Sequence, residues 1–219
     1  MFHVGYIQYQ GNSKLTDTGN SPQALRAKAY WIFDLDGTLT VPVHDFAYIR
    51  QELEIPAEED ILDHLEQLPA AEATRRQARL QEIELELARN ALPSTGALEM
   101  ITRLHDTGAC LGILTRNDRD IALLTLDAIG ARPYFADENV LGRSDALPKP
   151  DPEGIHRLLS SWGADPADTV MVGDYLFDLQ AGRAAGTTTV HVGRPDGKCW
   201  PEVTDLAVLD LAELAAHLT

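Results

Sequence analysis

The sequence predicts an α/β fold, a Rossmann-like three-layer α/β/α sandwich with a parallel sheet and an inserted small α-helical cap. Short, continuously apolar runs alternate with segments of helical spacing, which is typical of a doubly wound parallel sheet. One long stretch, residues 41–93, carries no strand pattern. It is well above the length of ordinary loops, so we predict an insertion into a single core. The chain of 219 residues is long enough for both.

Four apolar runs have the composition of strands that are buried on both faces of a sheet. They span residues 30–35, 110–115, 169–173 and 188–192. Helices are predicted between and after them, over residues 94–105, 121–129, 156–162, 176–185 and 206–218. Ser94 is the predicted N-cap of the first of these helices and Gly108 its stop.

The predicted cap spans residues 41–93, where apolar residues fall on one face of each of two helical segments. These residues are Ile61, Leu62, Leu65 and Leu68 in the first segment and Leu80, Ile83 and Leu87 in the second. The domains we predict are an N-terminal extension at 1–29, a core at 30–40 and 94–219, and the cap at 41–93. Arg75 and Arg79 lie one turn apart in the cap, and either select an anionic substrate or pair with neighbouring Glu side chains.

The formal net charge of −16 argues against nucleic acid and against an anionic membrane surface as partners, because both select for clustered Lys and Arg. No stretch reaches the length of a membrane span. An anionic substrate therefore needs a local positive site, from a metal ion or a few bases. The sequence leaves the oligomeric state open.

The cysteine content predicts a cytoplasmic protein. Cys110 and Cys199 are the only cysteines, and two cysteines do not form a disulfide framework. Cys110 lies in an apolar run, which predicts a buried thiol. The N-terminus has no basic patch followed by an apolar segment.

Two carboxylates follow the first predicted strand, in the string Asp34-Leu35-Asp36-Gly37-Thr38. Asp is a covalent nucleophile in aspartyl-phosphate chemistry, and the carboxyl ends of strands are where α/β folds bind ligands. The pair is suited to phosphoryl transfer, with one carboxylate attacking phosphorus and the other handling the proton. On its own the string is weak evidence, since Asp-Gly is also a common turn dipeptide.

Three further candidates follow in chain order, each at a strand end or in a loop beside one. Thr115 ends the second run, where its hydroxyl and nearby N–H groups could hold phosphoryl oxygens, although this is also a helix N-terminal turn. Lys149 lies between two prolines. It either offsets the negative charge of a phosphate and a nucleophile or is an ordinary solvated lysine of a loop. Asp174 and Asp178 offer Mg²⁺ the hard oxygen ligands it requires, with a helix N-terminal residue as the alternative for Asp178.

In this order, the four segments resemble the four sequence motifs of the haloacid dehalogenase-like (HAD) hydrolase superfamily. The segments are Asp34-Leu35-Asp36-Gly37-Thr38, Thr115, Lys149-Pro150 and Gly173-Asp174-Tyr175-Leu176-Phe177-Asp178. The insertion follows the first motif, where this family carries its helical cap. The pattern is similar to the small-cap phosphatases, of the phosphoglycolate phosphatase and β-phosphoglucomutase type.

The resemblance implies a role for each matching residue. Asp34 is expected to be the nucleophile that forms an aspartyl-phosphate, and Asp36 the acid and base for the leaving oxygen and the hydrolytic water. Thr115 and Lys149 are expected to hold the phosphoryl group. The residues implied at a Mg²⁺ site are Asp34, Asp36 through its backbone carbonyl, Asp174 and Asp178. We further predict that Gly37, Arg116 and Asn117 bind substrate or phosphate.

The predicted function is a Mg²⁺-dependent phosphatase that hydrolyses a small phosphorylated metabolite. Asp36 makes a dehalogenase unlikely, because a halide leaving group needs no proton. A phosphomutase similar to β-phosphoglucomutase is the alternative, followed by a non-catalytic scaffold that binds phosphorylated ligands. Residues 41–44 replace the family's common Asp-Ser pair, which weakens any specific substrate assignment.

Overall fold

The computed structural model describes residues 22–42, 46–193 and 196–218. In this part of the chain, six parallel strands form one sheet in the order β3-β2-β1-β4-β5-β6. The predicted Rossmann-like fold class is confirmed. The strands are β1 (Tyr30–Phe33), β2 (Cys110–Leu114), β3 (Val140–Leu141), β4 (Thr169–Gly173), β5 (Thr188–Val192) and β6 (Leu206–Val208).

Helices cover both faces of the sheet, because successive strand residues point to opposite sides. Trp31 and Phe33 face a core shared with α5, α6 and α9, whereas Ile32 faces a second core shared with α7 and α8. None of the helices in the described ranges has the length and hydropathy that a membrane crossing requires. The helices are α1 (Pro22–Arg26), α2 (Phe46–Glu52), α3 (Ile61–Glu66), α4 (Ala70–Arg89), α5 (Ala97–Asp106), α6 (Arg119–Ala128), α7 (Glu153–Trp162), α8 (Leu176–Ala185) and α9 (Leu211–His217).

The four predicted strands are all present, but the helix predicted over 206–218 is wrong at its start. Residues 206–208 form β6, in which Leu206 pairs with Val190 of β5. The pairing extends the sheet, and tertiary context overrides the local helical pattern. Helix α9 begins only after Asp210, whose side chain accepts a hydrogen bond from the Glu213 backbone N–H.

Two local predictions are also corrected. The N-cap of α5 is Gly96 and not Ser94, because the Ser94 hydroxyl instead donates to the Thr38 carbonyl at 2.6 Å. The thiol-bearing residue Cys110 is exposed, since it is the first residue of β2 and lies at the amino edge of the sheet. Gly108 follows α5 with a φ of 82°, as expected of a helix stop.

The segment predicted as the cap is helical in its described part. Helices α2, α3 and α4 enclose a hydrophobic cluster of their own, formed by Ile49, Leu53, Ile55, Leu65, Leu80 and Ile83. Arg79 pairs with Glu52 and Glu82 on the surface of α4. For Arg79 this is the second of the two predicted alternatives, pairing with Glu side chains. The division into domains stays a prediction. Residues 43–45 and 1–21 lie outside the described ranges.

The strand order reverses between β1 and β4, which creates the crevice where open α/β sheets bind ligands. Phe33 of β1 is paired with Val172 of β4, so the residues that follow each strand emerge side by side. The Asp34 backbone N–H donates to the Val172 carbonyl at 2.9 Å. The fold therefore brings the first and last predicted motifs together.

Candidate active site

Asp34 lies at the carboxyl end of β1 with its side chain almost fully enclosed; the residue is 7% exposed. Lys149 Nζ donates to its Oδ1 at 2.6 Å, and the Thr38 hydroxyl donates to its Oδ2 at 3.1 Å. Both carboxylate oxygens are thus held in place. The orientation is fixed before any ligand binds.

Lys149 neutralises two buried carboxylates. Its Nζ lies 2.6 Å from Asp34 Oδ1 and 2.7 Å from Asp178 Oδ1, and also donates to the Leu114 carbonyl at 2.7 Å. These contacts use all three ammonium protons. Burial by itself would lower the pKa of Lys149, but the carboxylates of Asp178 and Asp34 outweigh it and raise the pKa. Lys149 is therefore a permanent cation at this site.

Three buried carboxylates lie close enough to hold one cation. Oxygen atoms of Asp34, Asp174 and Asp178 all lie within 4.8 Å of one another. Asp178 is in the first turn of α8, where its Oδ2 accepts from the Tyr175 N–H at 3.0 Å. Burial raises the pKa of Asp178 above its usual value, against the opposing effect of Lys149. One lysine among three carboxylates leaves negative charge uncompensated, so the donor set fits a hard divalent cation such as Mg²⁺.

The Asp36 carboxyl group lies apart from this cluster and is hydrogen-bonded to the loop that contains Thr115. The Asn117 side-chain amide donates to Asp36 Oδ2 at 2.6 Å, and the Asn117 backbone N–H donates to the Thr115 hydroxyl at 3.0 Å. Burial and then the Asp34 carboxylate raise the pKa of Asp36 to about 7. A carboxyl group in this range can be an acid and a base near neutral pH.

Arg116 reaches away from the nucleophile and towards the cap. Its guanidinium contacts Asp60 Oδ2 at 3.0 Å and lies over the Phe177 ring, 5.6 Å from the centroid. Asp60 is the N-cap of α3. Burial would raise the pKa of Asp60, but Arg116 and the capped backbone N–H groups hold it below its usual value.

Two further contacts were missed by sequence reasoning. The two carboxylate oxygens of Glu84 in α4 accept hydrogen bonds from the two terminal nitrogens of Arg143, at 2.7 and 3.0 Å. This pair joins the predicted cap to the core. A signal existed, because Glu84 interrupts the apolar face that includes Leu80 and Ile83. Thr38 is the second contact, and its buried hydroxyl lies 3.4 Å from Asp174 Oδ1.

Gly37 permits the close approach of Asp174. Its φ is 92°, and a Cβ at this position would lie 2.6 Å from Asp174 Oδ2. We expect Gly37→Ala to lower the free energy of unfolding by about 1–3 kcal/mol, since the backbone strain of an L residue here is of that order. We also expect weaker Mg²⁺ binding, because the methyl group displaces a carboxylate of the cluster. Chemical denaturation and a calorimetric Mg²⁺ titration measure the two effects.

Gly130→Ala is the matched control for this substitution. Gly130 has a φ of 75° but no atom within 4 Å of its would-be Cβ. Gly130→Ala should lower the free energy of unfolding through backbone strain and leave the Mg²⁺ affinity unchanged. Equal Mg²⁺ affinities for Gly37→Ala and the unsubstituted protein would contradict the expectation.

A cavity of about 550 Å³ opens above the carboxylates, between the sheet edge and the predicted cap. This volume is within the range of small-molecule sites. Asp34, Asp36, Thr115, Lys149 and Asp174 all line it. Of the other predicted site residues, Arg116, Asn117 and Asp178 line it too.

The arrangement of these motifs is matched by a known family. The sequence model described as haloacid dehalogenase-like hydrolase matches residues 31–186. The chain belongs to the haloacid dehalogenase-like hydrolases. The predicted family and the prediction of an enzyme are confirmed. The match begins within β1 and ends directly after α8, so it includes every predicted site residue of this HAD-like hydrolase.

Relatives of this HAD-like hydrolase include proteins named as phosphatases. Pyrophosphatase PpaX of Bacillus pumilus is 41% identical over 96 residues, 43% of this chain and 44% of that protein. The phosphoglycolate phosphatase of Agrobacterium fabrum is 28% identical over 212 residues, 85% of this chain and 91% of that protein. A predicted phosphoglycolate phosphatase of Haemophilus somnus shares the fold, with a TM-score of 0.72 at 20% identity over 88% of this chain and 99% of that one.

Proposed function

We propose that this HAD-like hydrolase is a Mg²⁺-dependent phosphatase that hydrolyses a small phosphorylated metabolite through an aspartyl-phosphate on Asp34. The observation that carries the proposal is the pairing of a buried, pre-oriented Asp34 with Lys149 beside Asp174 and Asp178. Phosphoryl transfer depends on positioning and on neutralising charge at the equatorial oxygens. These residues are suited to both tasks.

The chemistry proceeds in two displacements. An Asp34 carboxylate oxygen attacks phosphorus, the Asp34–phosphorus bond forms, and the ester bond breaks as Asp36 gives its proton to the leaving oxygen. Water then attacks the aspartyl-phosphate while Asp36 takes up one of its protons. Phosphate leaves, and Asp34 and Asp36 return to their starting states. Asn117 holds Asp36 in position throughout, through its hydrogen bond of 2.6 Å.

The residues that would hold Mg²⁺ are Asp34, Asp174 and Asp178, together with the backbone carbonyl of Asp36. When bound, Mg²⁺ supplies positive charge for the phosphoryl oxygens and for the surplus of carboxylates. Lys149 supplies the second positive charge and remains hydrogen-bonded to Asp34. Thr115 and the backbone N–H groups after it, with Gly37, complete the phosphoryl site.

We propose that residues 41–93 are a cap that closes over the substrate and excludes bulk water. Two ion pairs between described residues cross from this segment to the core, Asp60–Arg116 and Glu84–Arg143, and support that role. A closed site of this kind favours a small metabolite. The names of the relatives, a pyrophosphatase and a phosphoglycolate phosphatase, support phosphatase chemistry. The cytoplasmic location remains a prediction from cysteine content.

The experiment that tests the function is phosphate release from a panel of phosphorylated metabolites, with Mg²⁺ and with a chelator. Release that requires Mg²⁺ supports the phosphatase. Isomerised sugar phosphate without release would instead indicate the phosphomutase. A folded protein that turns over no compound would indicate a phospho-ligand-binding scaffold.

Asp36→Asn tests the acid and base role. We expect the turnover of an alkyl phosphate to fall about 10²–10⁴-fold, the usual contribution of general acid–base catalysis. The leaving group of an activated aryl phosphate needs less proton transfer, so the rate of the phosphorylation step should fall much less for that ester. The measurement is single-turnover phosphorylation of Asp34 with both esters. Equal losses for the two esters would contradict the role of Asp36 as general acid.

A further inference from the structure

We infer that the substrate of this enzyme has an uncharged, partly apolar leaving group, and that esters of neutral alcohols are preferred over substrates whose leaving group is a second anion. The inference rests on the proposed phosphatase function and names the substrate class of the same site. It follows from the charges and the apolar residues of the cavity wall beyond the phosphoryl site.

The cavity has room for a leaving group of several atoms. Its volume of about 550 Å³ lies in the middle of the range for small-molecule sites. Asp34, Lys149 and Asp174 occupy one end. The leaving group therefore meets the rest of the wall. That part comes from α2, α3, α4, the segment between α2 and α3, the start of α8 and the loops after β2, β3, β4 and β5.

Two of the three arginines on the described wall are held by carboxylates of the cap segment. Arg116 contacts Asp60 at 3.0 Å, and Arg143 makes a two-pronged contact with Glu84 at 2.7 and 3.0 Å. The Glu84 side chain is only 7% exposed, so this pair is shielded from water. An anionic leaving group would have to compete with these carboxylates for the guanidinium groups, and would be repelled by them.

The other two basic residues of the wall are Arg50 and Lys198, and they do not give the wall a net positive charge. Arg50 Nε donates to the Glu59 carbonyl at 3.1 Å. Lys198 lies 3.5 Å from Asp196 and its side chain is 63% exposed, so its charge is screened by solvent. Beyond the phosphoryl site, the described wall thus holds four basic residues and four acidic ones, Glu58, Glu59, Asp60 and Glu84.

Apolar side chains occupy much of the remaining wall. Ile49 and Leu80 line it from the cap segment with Ile61 and Leu62, and Tyr175 and Phe177 line it from the core. Tyr175 is 39% exposed, and its ring packs edge-on against Phe177. Ile49 and Leu80 are almost fully buried in the cap cluster and add little area. The exposed parts of the other four side chains favour carbon atoms of a leaving group, through burial of apolar area.

The inference separates this enzyme from the activities that the names of its relatives describe. Pyrophosphate has phosphate as its leaving group, and phosphoglycolate has glycolate, so both leaving groups are anions. We expect both compounds to be poor substrates here. A pair of compounds that differ only in that charge provides the test.

The experiment compares 2-phosphoglycolate with 2-phosphoglycolamide, which has nearly the same shape and a neutral leaving group. We expect kcat/KM to be about tenfold or more higher for the amide, as like-charge repulsion predicts. A value for 2-phosphoglycolate or pyrophosphate equal to or above that of the amide would overturn the inference.

Asp60→Asn tests the charge pairing directly. Asn is as good an N-cap as Asp, so α3 keeps its cap while Arg116 loses its ion partner. The ratio of kcat/KM for 2-phosphoglycolate to that for the amide should rise about fivefold, the upper range for a partly exposed pair. Glu58→Gln, the matched control, removes a charge from the same wall without freeing Arg116, and should change the ratio much less. An unchanged ratio in Asp60→Asn, or an equal rise in both variants, would contradict the proposal.

A binding measurement separates failure of the inference from failure of the proposed function. The non-hydrolysable analogues in which CH2 replaces the ester oxygen are 3-phosphonopropionate and 3-phosphonopropionamide, and their affinities can be measured calorimetrically with Mg²⁺ present. Tighter binding of the amide supports the inference even if neither ester releases phosphate, a result that would count against the phosphatase alone. Tighter binding of 3-phosphonopropionate would overturn the inference whatever the activity.

Discussion

Replacement of Asp34 by Asn is expected to abolish turnover while the protein keeps its fold. The amide is nearly the same size as the carboxylate but is a poor nucleophile, so the aspartyl-phosphate cannot form. Loss of a covalent nucleophile lowers kcat by on the order of 10⁴ to 10⁶-fold. Phosphate release at saturating Mg²⁺ measures the loss, and circular dichroism checks the fold.

Asp210→Asn is the control for this substitution. It makes the same chemical change at the N-cap of α9, and Asp210 is not among the residues that line the cavity. We expect its activity to be unchanged. Phosphate release by Asp34→Asn at a rate near that of the unsubstituted enzyme would rule out the covalent mechanism. A phosphoenzyme that forms in the unsubstituted enzyme under single-turnover conditions and is absent from Asp34→Asn would support it.

Lys149→Met is expected to reduce both activity and stability. The ammonium group lies between the carboxylates of Asp34 and Asp178, and its loss leaves them buried without a counter-charge. Removing one partner of a buried ion pair costs about 3–5 kcal/mol of unfolding free energy. Chemical denaturation in chelator, followed by the fluorescence of buried Trp31, measures the change.

A double variant distinguishes lost charge from lost packing. Lys149→Met with Asp178→Asn removes one of the two uncompensated charges, so part of the stability should return, as the coupling of contacting residues predicts. Lys28→Met is the control, because Lys28 is only partly buried and donates to the Ala167 carbonyl, so its loss leaves no buried carboxylate without a counter-charge and should have a much smaller effect. If the double variant is no more stable than Lys149→Met, the electrostatic explanation is wrong. Added Mg²⁺ should stabilise Lys149→Met more than it stabilises Lys28→Met.

The strands and the order of the chemical motifs could be predicted because each depends on short stretches of sequence. A buried parallel strand has to be apolar on both faces, and the runs over 30–35, 110–115 and 169–173 show this directly. The carboxyl ends of neighbouring parallel strands meet at one edge. That rule alone places Asp34 near Asp174 although 140 positions separate them in the sequence.

Predictions that depended on one residue or on a weak local pattern were less accurate. Residues 206–208 have a helix-like pattern but form an edge strand, because β5 offers them backbone partners. The two-residue strand β3 is too short to leave a pattern. Ser94 has the chemistry of an N-cap, yet its hydroxyl is taken up by the Thr38 carbonyl.

The partners of the polar side chains around the cavity were decided by the tertiary structure. Asn117 binds Asp36 across 81 positions of sequence, and Arg116 reaches Asp60 across 56. Hydrogen-bond donors such as these have several acceptors of suitable chemistry in the sequence, and only packing selects one. The same holds for Arg143 and Glu84, which are 59 positions apart.

The sequence by itself therefore determined the fold class, the family and the set of chemical groups at the site, since these follow from local hydrophobicity and from residue types at strand ends. The tertiary structure alone decided which charges remain available to a ligand. Charge neutralisation in a cavity depends on distances of a few ångströms between residues far apart in the chain. For this enzyme that distinction separates the reaction, which the motifs predict, from the leaving group, which we infer from the paired arginines and the apolar wall.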